Sequence, residues 1–224
     1  MNALRTYLDY NSTTPLSPPA REAMLEVMNY TGNASSVHWE GRWAKRVIET
    51  AREQIAESLD ASDAQIVFTS GATESAAIIL NNKGIFCSRV EHPCVSFWCD
   101  PTLQASNDGK VNVIDSEKST LQLANSETGI IQDLPKDLYM SDVVQGLGKV
   151  NFSFRNCGAK TVIVSAHKLG GPGGVGAFLV EPDMEIAPLF GGGGQEYGFR
   201  SGTENIVAIA GFGAAIQFAK KKIG

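Results

Sequence analysis

Val162-Ile163-Val164-Ser165-Ala166-His167-Lys168-Leu169-Gly170-Gly171-Pro172-Gly173-Gly174-Val175-Gly176 is the stretch that decides the reading of this chain. Its β-branched run predicts a buried strand, which stops in Ser-Ala-His-Lys and a glycine-rich loop. A lysine at the end of a buried strand is a poor surface residue. It is a good imine-forming nucleophile, because desolvation and nearby cations lower its pKa and expose the free amine. Lys168 is therefore the first candidate for chemistry. The loop also contains a literal G-x-G-x-x-G, from Gly171 to Gly176. Dinucleotide binding would require a helix after it. Val175–Val180 reads instead as a strand, and no Gly-Lys-Ser/Thr closes the loop, so nucleotide binding is rejected.

Outward from that segment, strands and helices alternate. Pro18-Pro19 open a helix through Met28, proline being tolerated in a first turn. A second helix runs from about Glu40 to Leu59, with Trp43, Val47, Ile48, Ala51, Ile55 and Leu59 on one face. Gln65–Thr69 is a buried strand. Further strands are expected near Gly84–Ser88, Val111–Ile114, Thr120–Ala124, Tyr139–Val143, Thr161–Ser165 and Val175–Val180. Thr203–Lys222 closes the chain as an alanine-rich helix. This alternation, with continuous apolar strands, indicates an α/β fold with a mostly parallel sheet. Between Ser88 and Val143 no amphipathic helix is visible. Parallel strands need crossovers, so either some neighbours are antiparallel or crossover helices have been trimmed to loops.

The 224 residues suit one domain or two small ones, and 43% apolar with 19% charged residues supports a full core. A net charge of −5 gives no basic footprint, so nucleic acid is not expected as a partner. No apolar run approaches a membrane span, and the first residues lack a signal peptide's apolar segment. A cytoplasmic location with reduced thiols is the expectation. Cys87, Cys94, Cys99 and Cys157 form no C-x-x-C pair, and His38, His92 and His167 sit in separate segments without metal-ligand spacing, so no metal is expected.

Four further segments carry chemistry. Ser70-Gly71-Ala72-Thr73, between strand and helix, offers free N–H groups to an anion, with Thr73 adding a hydroxyl; an ordinary helix cap is the plainer alternative. His92, before Pro93, could stack on a planar ligand or simply be a loop histidine. Asp142 would sit at the carboxyl end of the sheet, where open α/β proteins bind ligands, and could keep a pyridine nitrogen protonated. A surface acid or helix cap fits that segment equally. Arg200 and Thr203, after the glycine-rich run Gly191–Gly194, could donate to a phosphate or lie in a mobile surface loop.

Taken in order, these segments resemble the cysteine desulfurase branch of the class V aminotransferase family, a fold-type I group dependent on pyridoxal 5′-phosphate (PLP). The matching strings are Tyr7–Pro15, Gly32–His38, Thr69–Ser75, Glu91–Pro93, Ala124–Gly129, Asp142 with Gln145, Ser165–Lys168, and Gly192–Glu196 through Arg200–Thr203. The resemblance implies a three-layer PLP domain over residues 1–224, acting on an amino acid, cysteine favoured. It implies that Lys168 joins the cofactor aldehyde and later shuttles protons at the substrate Cα. His92 would stack on the ring and act as acid–base group, Asp142 would pair with the ring nitrogen, and Gln145 would bond the ring oxygen. Thr73, Ser165 and His167 would hold the phosphate, completed by Thr203 from the partner of a homodimer, and Ala72 would belong to the cofactor site. Asn125 would lie near the ring and the substrate carboxylate.

The family continues past the last helix into a small domain carrying a sulfur-accepting loop cysteine and a carboxylate-binding arginine, neither of which this sequence contains. The stretches Ile79–Ser88, Val95–Leu123 and Ile130–Tyr139 are also shorter than the family's. A non-catalytic PLP-binding partner in sulfur or iron–sulfur metabolism, with another chain supplying the missing domain, is the alternative; a PLP lyase or racemase is another. Cys94, two residues after His92, could be near the cofactor, although small cysteines beside a ligand strand are more often packing residues.

Overall fold

Residues 6–223 are described by a computed structural model. In chain order they form α1 (Pro18–Met28), α2 (Trp39–Leu59), β1 (Gln65–Thr69), α3 (Ala72–Leu80), β2 (Phe86–Ser88), α4 (Pro93–Ser96), β3 (Asp100–Leu103), β4 (Ser141–Asp142), β5 (Thr161–Ser165), β6 (Gly176–Val180) and α5 (Ile206–Ile223). The β-branched run is β5, buried along its whole length.

The main sheet has the order β1-β6-β5-β4. β6 is antiparallel to both β1 and β5, and β4 is parallel to β5. Three of these four strands therefore run one way, with β6 between them running back. Its reversal follows from the loop after β5, which is too short for a crossover. Parallel bridges Thr120↔Met140 and Phe86↔Ser119 continue the sheet to the parallel pair β2–β3. The expected α/β sheet is present as a mixed sheet in which every strand but β6 runs the same way, although both pairings of β6 are antiparallel. Its middle crossovers are trimmed as expected: β2 reaches β3 through the four-residue α4, and residues 104–140 contribute a single 3₁₀ turn at Ser116–Lys118.

Alternation along the strands splits the core into two layers. Ile66, Phe68, Val162, Val164, Ala177 and Leu179 face α2 and α5. Val67, Ile163, Phe178 and Val180 face α3. Phe212 of α5 sets its ring edge-on to Phe68, centroids 6.4 Å apart. Small residues let α5 approach closely: a Cβ at Gly213 would stand 2.8 Å from Ala51 Cα.

Four local expectations are corrected. Thr120–Ala124 is no strand; Thr120 and Ala124 make only single bridges, to Met140 and Ile131. Val111–Ile114 is no strand; only Val111 bridges, antiparallel to Ala105. β3, with Pro101 inside it, was not foreseen, and proline at a sheet edge explains the weak signal. The last helix begins at Ile206 rather than Thr203, because Asn205 caps it by accepting from the Ala208 N–H at 3.1 Å.

Candidate active site

β1, β4 and β5 run the same way, so the loops at their carboxyl ends open on one edge. There Ser70–Thr73, Val144–Gln145 and Ser165–Lys168 surround a cleft of about 780 Å³. Ala72, Thr73, His92, Asp142, Gln145, Ser165, His167 and Lys168 all line it. The loop Asp9–Ser12 forms a further wall. That loop is tethered to the strand end, where the His167 carbonyl accepts from the Thr14 N–H at 2.9 Å and the Thr14 hydroxyl at 2.8 Å.

Lys168 is half-buried, one 3₁₀ turn beyond β5, and its ammonium donates to the Asn11 carbonyl. Burial lowers its pKa, opposed by the charges of Asp142 and Asp9. Asp142 ends β4 with 8% exposure, and its Oδ1 accepts from the Val144 N–H at 2.9 Å. Burial raises its pKa, while that N–H, His92 and Lys168 pull it down. His92 caps α4, its Nδ1 accepting from the Cys94 N–H at 3.2 Å, which leaves Nε2 as the protonated nitrogen of the neutral ring. Burial, with Lys168 adding, lowers the pKa of His167, whose Nδ1 lies 3.2 Å from the Thr13 hydroxyl.

Two expected residues stand apart. Asn125 does not line the cleft, although its neighbours Ala124 and Ser126 do. Its Oδ1 closes a turn, accepting from the N–H groups of Glu127 and Thr128 at 3.0 and 2.9 Å, and its Nδ2 donates to the Val90 carbonyl. Thr203 is exposed in the loop before α5 and also does not line the cleft. Arg200 is paired within the chain, its Nε donating to Glu74 Oε1 at 2.9 Å. The loop itself is anchored rather than loose, because Glu196 is 5% exposed and joins Arg52 and the Phe68 N–H. His38 serves as the cap of α2.

Sequence reasoning named no site residue in Asp9–Ser12, although the string Tyr7–Pro15 carried a resemblance. It also passed over Gln122, which lines the cleft, and Glu91, whose buried Oε1 accepts from the Gln122 N–H at 2.6 Å. Cys94 lines the cleft too, and burial, then Asp142, pushes its thiol up to about 12.

Comparison with known proteins follows the same lines. The sequence matches the profile of the family described as Aminotransferase class-V over residues 6–134 and 119–224. The chain belongs to the class-V aminotransferase family. It is 35% identical to a cysteine desulfurase of Frankia sp. (strain EuIK1), over 97% of this chain and 63% of that protein. It is 37% identical to the cysteine desulfurase IscS of Dictyoglomus turgidum, over 95% of this chain and 63% of that protein. The first alignment spans 264 positions against 224 residues here, so this class-V chain carries gaps relative to that relative, as its trimmed crossovers require. A NifS-like protein from Rickettsia africae superposes with a TM-score of 0.87 at 33% identity, covering 97% of this chain and 69% of that one. A second NifS-like structure gives 0.90 at 31%, covering 98% and 71%. The chain thus spans just under two thirds of the length of the desulfurases it matches.

Proposed function

We propose that this chain binds PLP through Lys168 and acts on a small amino acid, cysteine first, as the cofactor-bearing part of a desulfurase. The observation that carries this is one cleft in which a half-buried amine of lowered pKa and an enclosed carboxylate feel each other's charge. The donor set fits the cofactor. Asp142 is enclosed enough to raise its pKa, so a protonated pyridine nitrogen is the partner it lacks. No side chain caps α3, whose first turn, with Ser165 and His167, suits a phosphate. Gly176 permits this close fit: a Cβ there would meet Gly71 Cα at 2.8 Å.

When bound, PLP supplies an electron sink for negative charge developing at the substrate Cα. Lys168 provides the amine that attaches it and, once released, a base for the Cα proton. His92 presents its Nε2–H to the cleft as a hydrogen-bond donor. Gln145 donates from Nε2, and Ser165, His167 and Thr73 orient the anionic end. Cys94 remains a thiol at neutral pH, so sulfur leaving the substrate Cβ needs another thiol as acceptor. The same reading makes the protein a cytoplasmic homodimer in which Thr203 serves the second subunit's phosphate site. Its four free cysteines suit a reducing compartment, and among the described residues no helix is long and apolar enough to cross a membrane.

The purified chain, given PLP, is expected to develop the visible absorption of a lysine imine, and Lys168→Ala is expected to abolish it. With L-cysteine and dithiothreitol it should release alanine and sulfide. A chain that stays colourless after PLP is added overturns the proposal.

A further inference from the structure

Gln145 lines the cleft beside Asp142 and Lys168, and a glutamine amide can face it either way. One face offers N–H donors and the other a carbonyl acceptor. Here a residue outside the cleft lining makes the choice. Lys149 Nζ donates to Gln145 Oε1 at 3.0 Å and to the Gln145 carbonyl at 3.2 Å. Gln145 Nε2 then donates to the Asn11 carbonyl at 2.9 Å, the same oxygen that receives the Lys168 ammonium. Asn11 is held in turn by its Nδ2, which donates to the Ser126 carbonyl at 3.0 Å. An ammonium has only donors, so the carbonyl end of the amide must turn toward Lys149. Nε2 carries two hydrogens, and the Asn11 carbonyl uses one. The second remains for the cleft.

We infer that Lys149 is a positioning residue that locks the Gln145 amide with its N–H side toward the cofactor. This rests on the PLP reading above, in which the ring oxygen facing Gln145 needs a donor. The backbone builds the lock. The Gly146 N–H donates to Val143 and the Lys149 N–H to Gly146 at 3.1 Å. Gly148, at φ +74°, turns the chain so that Lys149 reaches back over the same turn. Without Lys149 only the bond to the Asn11 carbonyl opposes a flip, and a flipped amide sets a carbonyl against the electron-rich oxygen.

The test is PLP affinity, read by absorbance titration of the intact protein and three variants, with thermal melts as a folding control. Lys149→Met is expected to weaken PLP binding about threefold to tenfold, the worth of one hydrogen bond with its orientation. Lys149→Arg, which keeps the donor and the charge, is expected to restore most of it. Lys149→Met added to Gln145→Leu should cost nothing beyond Gln145→Leu alone, because the lysine acts through the amide. Wild-type affinity in Lys149→Met, equal loss in Lys149→Arg, or additive losses in the double variant would each overturn the inference while the PLP reading stands. Absence of PLP binding by the unaltered protein would remove the reading itself, and this inference with it.

Discussion

Glu91 shows how much a single side chain can hide. It is 5% exposed, its Oε1 bonds the Gln122 N–H, and its Oε2 has no partner among the described residues. Burial, then the nearby charge of Asp142, raise its pKa well above the ordinary glutamate value, which favours the protonated form in the fold. In the unfolded chain it ionises at its ordinary value. Above that value the native state binds the extra proton, so this residue takes stability away as pH rises toward its folded pKa. The stability of the native chain relative to Glu91→Gln should therefore fall from mildly acid to neutral pH. Urea melts across that range read it directly, and a flat difference would show that Glu91 ionises freely. Burial raises the pKa of Asp142 in the same sense, but there the proposed chemistry uses the charged form. Asp142→Asn should leave PLP attached to Lys168 but lower turnover by roughly a hundredfold, the scale of losing one aimed charge in an enclosed site. Steady-state assays with cysteine would expose a smaller effect. Lys168 and Asp142 were legible because each follows an apolar strand, a local signal. Glu91 sat inside a recognised string, yet its burial depends on Gln122 and Asp142, which are remote in sequence.

At the level of elements, the glycine-rich loop gives the sharpest contrast. Its composition reads as mobile, but Glu196 enters the core, accepting two bonds of 3.0 Å from Arg52 and one of 2.7 Å from the Phe68 N–H. The Arg52 and Glu196 side chains are 12% and 2% exposed, so the pair is enclosed. Arg52 also lies 4.9 Å from the Phe68 ring centroid. Removing one partner leaves a buried charge, and Glu196→Ala should cost about 3–5 kcal/mol in denaturant unfolding. A loss under about 0.5 kcal/mol would mean the loop is a surface segment after all. Phe212→Ala, which empties the seam between α5 and β1, should cost about 3–5 kcal/mol in the same measurement. α1, α2, β5 and β6 were readable from periodicity and from proline, because each is specified by its own residues. β3 and the true start of α5 were not. β3 exists through pairing with β2, and α5 starts where Asn205 caps it.

The whole molecule places these parts. Leu8, Val37 and Phe97 are 83%, 87% and 78% exposed, apolar surface available to a second copy in the proposed homodimer. Light scattering at micromolar concentration is expected to give twice the mass of one chain, and a single-chain mass would remove the homodimer from the proposal. The α/β class, the two long N-terminal helices, the strands β1, β5 and β6, and a lysine and an aspartate placed just at strand ends were determined by the sequence alone, because strand runs, helical spacing and glycine turns are properties of neighbouring residues. Only the tertiary structure decided that Asn125 forms a turn instead of lining the cleft, that Arg200 belongs to Glu74, that Glu196 anchors its loop and that Lys149 faces Gln145. Most of those outcomes rest on distance and burial between segments far apart in the chain, and even the local ones turn on which way a polar group points, which no spacing rule encodes.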